Sequence, residues 1–141
     1  MGAIPQVRQT GPKSYPALEA ITGGQLVEGR ATGTGGAGVA AAGSAKVLGV
    51  ALNDAVATLV TDPVNGVLDT APTGTRVNVA KSVEVPVTYA AAAAFGDKLV
   101  AAANGHVTPA GATPDARTIV GECTEVGGVA AADTVALAWI Y

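Results

Sequence analysis

The sequence predicts an all-β fold: a small β-barrel or β-sandwich of short strands with at most one or two helical turns, preceded by an extended N-terminal arm. Three observations predict it. Several segments alternate apolar and polar residues with period two, as in Arg76-Val77-Asn78-Val79-Ala80 and Ser82-Val83-Glu84-Val85-Pro86-Val87, the pattern of a half-buried strand. Nineteen glycines and eight prolines fall mainly between such segments, the punctuation of sandwiches and barrels. The one helical stretch, Tyr89 to Phe95, is an alanine run too short to hold alone, and Gly96 ends it. One turn, or two, is expected there.

Residues 1–16 read as the arm. They hold Pro5, Pro12 and Pro16, the cations Arg8 and Lys13, and no acid. Proline fixes φ and pushes its predecessor toward extended geometry, so no helix forms. Residues 17–141 read as one β domain. Its predicted strands are Gln25–Arg30, Lys46–Leu52, Ala57–Val60, Gly66–Asp69, Arg76–Ala80, Ser82–Thr88, Lys98–Ala102, Gly105–Pro109, Thr118–Thr124 and Thr134–Ile140. Asn65-Gly66 and Asn104-Gly105 are tight-turn signals, because both residue types accept positive φ. An internal repeat is visible as well. Gly24 returns as Gly96 and Val47-Leu48-Gly49 as Ile119-Val120-Gly121, both 72 positions on, as two similar β-layers closing on each other would require.

Composition excludes most chemistry. Charged residues are 13% of the chain and the formal net charge is −3, so no basic field exists to hold nucleic acid or an anionic membrane. One cysteine, Cys123, precludes an intrachain disulfide, and one histidine, His106, precludes a multi-histidine metal site. No stretch looks like a signal peptide or membrane span, so a soluble chain made in a cytoplasm-like compartment is expected.

The motifs that remain are weak. Gly33-Thr34-Gly35-Gly36-Ala37-Gly38 satisfies a dinucleotide-binding pattern, with Asp54 near the ribose offset. The segment before it is too polar for a buried parallel strand, and Gly43-Ser44 breaks any helix after it. Gly38 to Lys46 lacks the P-loop lysine, since Ser44 follows Gly43. Ser14, Ser44 and Ser82 sit in no nucleophile elbow. Cys123 in an apolar strand reads as a small core residue, and His106 beside Asn104-Gly105 as a turn residue. The expectation is a protein that is no enzyme, with no catalytic residue, cofactor or metal.

Self-association is expected instead. A core of Ala, Val and Leu buries little area per residue, at about 25 cal/mol per Å². About 1–2 kcal/mol of backbone entropy is lost per residue ordered, so the isolated chain is marginal and gains from burial against neighbours.

The order of segments resembles the small capsid decoration (cement) proteins of tailed bacteriophages, a family formerly known as a domain of unknown function. The matching pieces run from about Gly23 to the C-terminus: Gly23-Gly24-Gln25-Leu26-Val27, Val47 to Ala55, Gly74 to Val79, Val83 to Val87, Gly96 to Val100, Asn104 to Thr108, Ile119 to Cys123 and Thr134 to Leu137. The arm and Gly33 to Ser44 are longer than the family pattern. The resemblance implies a virion protein that binds the outer surface of an assembled capsid, as a homotrimer at three-fold or quasi-three-fold positions, with the major capsid protein as partner. The arm, with Pro5 in it, then supplies the shell contact: Ile4, Val7 and Tyr15 enter grooves, and Arg8 and Lys13 meet carboxylates. Two other classes stay open: an adhesin-like module using Gly33–Ser44 for recognition, and a small hydrolase using Cys123 and His106.

Overall fold

A computed structural model describes residues 11–33, 35–56 and 75–141. The fold is all-β, with strands β1 (Lys13–Pro16), β2 (Leu26–Arg30), β3 (Gly36–Val39), β4 (Val47–Ala51), β5 (Arg76–Ala80), β6 (Val83–Tyr89), β7 (Lys98–Ala101), β8 (Val107–Pro109), β9 (Ile119–Cys123) and β10 (Thr134–Ile140). Helical structure among the described residues is two three-residue 3₁₀ segments, Ala103–Gly105 and Ala116–Thr118.

Strands β1 to β5 form one sheet in the order β1-β5-β4-β2-β3, and β6 to β10 close into a barrel, β10-β6-β8-β7-β9. Read around from β6, the barrel runs β6-β10-β9-β7-β8, which repeats the order of the first sheet strand for strand. The edges of that sheet also meet, through a parallel bridge between Ala17 and Ala37. Its counterpart in the barrel is the parallel pair Tyr89 and Val107 of β6 and β8.

Register confirms that the two units are copies. In the first, Leu26 faces Val50 and Val27 faces Gly49, after which a bulge shifts Glu28 to Val47. In the second, Lys98 faces Glu122 and Leu99 faces Gly121, and a bulge then shifts Val100 to Ile119. Every residue of the second set lies 72 positions after its counterpart. The repeated glycines have one job. A Cβ on Gly49 (φ 148°) would collide with the carbonyl of Ala80, and one on Gly121 with that of Trp139. Only glycine lets these backbones approach so closely. The loops repeat too: Thr22 N–H donates to the Gln25 side chain as Ala94 N–H donates to that of Asp97.

The core follows the period-two pattern. Inward residues Ala17, Ile21, Val27, Ala37, Ala51, Ala55, Val77 and Val79 fill the first unit. Tyr89, Leu99, Ala101, Val107, Cys123, Ala136 and Ala138 belong to the second. On the first unit the outward row Leu26, Val50 and Ala80, with Ala40, is also buried, because it packs into the second unit's core beside Val83, Val85 and Ile140. Gln25 Nε2 donates to Asn104 O (2.9 Å), and Gly43 N to Ala101 O (2.8 Å), across the same junction. Only Lys81 and Ser82 (φ 56°) separate β5 from β6.

Three expectations need correction. Tyr89 to Phe95 makes no helical turn: Ala90 N–H bonds Val107 O (2.7 Å) and Ala93 N–H bonds Val129 O (2.9 Å), so sheet partners take the donors a helix needs. The glycine-rich stretch is not all loop, since Gly36–Val39 is β3 and pairs with β2. Glycine there admits neighbours that a side chain would exclude, Pro16 O at Gly36 and the Arg30 guanidinium at Gly38. Lys13–Pro16, the last four residues of the expected arm, are sheet strand β1, paired with β5. Ala57–Val60, Gly66–Asp69 and Asn65-Gly66 lie outside the described residues.

Candidate interaction surface

Of the residues expected to touch a partner, Ile4, Pro5, Val7 and Arg8 lie outside the described residues. Lys13 and Tyr15 lie on β1. Tyr15 packs against the core of the first unit, and the Lys13 ammonium stands 5.2 Å over its ring. Tyr15 is thus engaged by its own unit, while Lys13 stays exposed.

The residues weighed for catalysis are apart in the fold. Cys123 is buried inside the barrel, and burial together with the neighbouring Cys123 thiol pushes the Tyr89 phenol well above its usual range. The Tyr89 hydroxyl donates to Leu137 O (2.8 Å). His106 lies in the β7–β8 turn, and among the described residues no hydrogen bond joins it to Cys123. That turn has the expected chemistry, with Asn104 and Gly105 at φ 60° and 68°. Among the described residues no cluster of three His, Cys, Asp or Glu side chains is placed to hold a metal ion, and no helix is long and apolar enough to cross a membrane.

The outer face of β10 is an exposed apolar stripe. Its even residues Ala136, Ala138 and Ile140 point into the barrel. Its odd residues, Val135, Leu137 and Trp139, with Tyr141 just beyond, point outward at 64, 39, 39 and 44% exposure. Trp139 is flanked in register by Glu84 of β6 and Glu122 of β9. The Lys98 ammonium bonds the Glu122 carboxylate (2.8 Å) and lies 5.2 Å over the Tyr141 ring. Its hydrogen bonds to Glu122 and to the Tyr141 hydroxyl push the Lys98 pKa up to about 12, and the same lysine holds the Glu122 carboxyl below its ordinary range. Glu84 has no ion pair among the described residues.

The repeat supplies an internal control. The positions of β5 equivalent to Val135 and Leu137 are Arg76 and Asn78, both exposed. An exterior strand in this fold can therefore be polar, and β10 is not. Sequence reading found β10 with correct bounds but did not single out its outward face. The available signal was apolar residues at both parities, which an antiparallel strand carries when both its faces are covered.

Two concavities are present, and the first reaches the surface at Val135. One, about 320 Å³, lies along the junction and is lined by Gly23, Gly24, Val50 to Leu52, Val85 to Thr88 and Val135. The other, about 480 Å³ and open, is lined by Ala92 to Phe95 and Val126 to Ala130.

No family model matches the chain. No curated protein matches it. Among solved structures it is similar to one described as the crystal structure of the head fiber gp8.5 N base in bacteriophage phi29. The match covers 94% of this chain and 95% of that one, with 19% sequence identity and a TM-score of 0.63. The two share a fold over that span.

Proposed function

We propose that this chain is a structural virion protein of a tailed bacteriophage that sits on the outer surface of the assembled head and stabilises it. The observation that carries this reading is the likeness of fold, over 94% of the chain, to a phage head fiber base. The resemblance of its segment order to capsid decoration proteins supports it independently. The proposed partner is the major capsid protein, and the proposed assembly is a homotrimer at three-fold or quasi-three-fold positions, with no enzymatic activity. Many symmetric copies make weak single contacts sufficient.

The shell contact is proposed for residues 1–12 rather than the whole of 1–16, because Lys13 to Pro16 complete a sheet. Ile4, Pro5, Val7 and Arg8 retain the expected role, and exposed Lys13 stands where the segment leaves β1. The test mixes purified protein with bare, expanded phage heads and images them. Protrusions at symmetry positions are expected with the full chain and are expected to vanish on deleting residues 1–12, with the circular dichroism spectrum unchanged. Heads left bare by the full chain would sink the reading, and unchanged decoration by the truncation would sink the role of the arm.

A further inference from the structure

We infer that the outer face of β10 is a docking surface for a second copy of this chain, which seats its β1–β5 ribbon there. The molecule supplies its own precedent. One outward apolar row, Leu26, Val50 and Ala80, is covered, and what covers it is a barrel of the same repeat. Where no barrel covers the outside of β5, Arg76 and Asn78 are polar. The row on β10 is apolar and, among the described residues, uncovered, and in the proposed contact the sheet of another copy covers it.

Charge sets the orientation. Glu122 is already paired with Lys98, but a symmetric β10-on-β10 contact would bring Glu84, which flanks Trp139 and has no ion pair among the described residues, toward its own copy, a costly like-charge pairing. A ribbon bearing cations fits instead. Lys13, Arg76 and Lys81 lie on or next to β1 and β5, all exposed, and none is in an ion pair among the described residues. Arg76 Nε and Nη2 donate to Ser14 Oγ and O, and its exposed guanidinium also carries Nη1. An indole face flanked by carboxylates suits a guanidinium, which stacks on the ring while its N–H groups reach the oxygens. The aliphatic stems of Arg and Lys cover the apolar remainder. Such a contact uses different faces of the two copies, so it closes into a ring when the rotation permits.

This inference rests on the proposed virion role only in expecting several copies, and its test uses no phage heads, so the two fail separately. Trp139 is the one tryptophan of the chain, so its emission reports this face directly. Sedimentation and fluorescence of the full chain are followed over a dilution series. Association is expected, weakened by salt, with a blue shift of emission that tracks it. Leu137→Asp and Arg76→Glu are each expected to weaken association about 30-fold or more, as at a hot spot, and Glu84→Arg combined with Arg76→Glu to recover most of that loss. Should Leu137→Asp or Arg76→Glu misfold, Val135→Glu on the stripe or Lys81→Glu beside the ribbon replaces it. A chain that stays monomeric, association indifferent to the stripe variants, or a charge swap without recovery would each overturn the inference.

Discussion

At the scale of single residues, buried side-chain polar atoms are hydrogen-bonded, with one exception among the described residues. The Thr124 hydroxyl is buried without a hydrogen-bond partner. An unsatisfied buried hydroxyl costs about 1–3 kcal/mol, while an apolar group of the same shape costs nothing comparable. Thr124→Val is therefore expected to raise stability by about 1 kcal/mol, seen as a higher midpoint in urea; a lower one would show that water or motion already satisfies the hydroxyl. The half-buried Glu28 shows the opposite case. Burial raises its pKa, but bonds from the Ser44 side chain, the Ala41 N–H and Arg30 outweigh that and hold it below 4.5. Its neighbour Arg30 also pairs with Glu19 (3.0 Å) and donates to Val39 O (2.8 Å), which fixes the β2–β3 edge.

At the scale of elements, what was legible in the sequence depended on side-chain pattern. β5 and β10 have the bounds read from the sequence, Arg76–Ala80 from alternation and Thr134–Ile140 as an apolar run. β3 was not legible, because Gly36 and Gly38 offer no alternation and glycine argues against a strand. The alanine run was misread because tertiary hydrogen bonds override intrinsic propensity. The repeat was legible at Gly49 and Gly121, where the physical demand is most severe. Gly49→Ala and Gly121→Ala are each expected to destabilise the fold by about 3 kcal/mol or more, since backbone must move to admit the methyl group. Gly111, where nothing stands within 4 Å of a built Cβ, serves as the control and should tolerate alanine. Equal tolerance at all three positions would refute the close approach. Of the candidate surface, the strand was readable but its use was not, because an outward Trp and Leu look like core until the sheet's inner face is known.

At the scale of the whole molecule, the two units share one core across their junction, which predicts a single unfolding transition. Leu26 is fully buried there, and Leu26→Ala is expected to cost about 2–5 kcal/mol. Trp139 fluorescence, reporting the barrel, and far-ultraviolet circular dichroism, reporting all strands, should shift together. Separation of the two curves would mean that the units fold independently.

Duplication has also let the copies diverge in surface chemistry. Leu26 and Val50 at the junction correspond to Lys98 and Glu122 on the second unit. An ion pair thus stands where the first unit has an apolar contact, and it keeps a further barrel from stacking in the same way.

The two-residue link between β5 and β6 has a mechanical consequence. With Lys81 and Ser82 as the only spacer and Ser82 held at φ 56°, the units have no slack to swing as beads on a string. A pull on either one is passed directly into the hydrogen-bonded ladder of the other, so the pair yields as a single stiff strut.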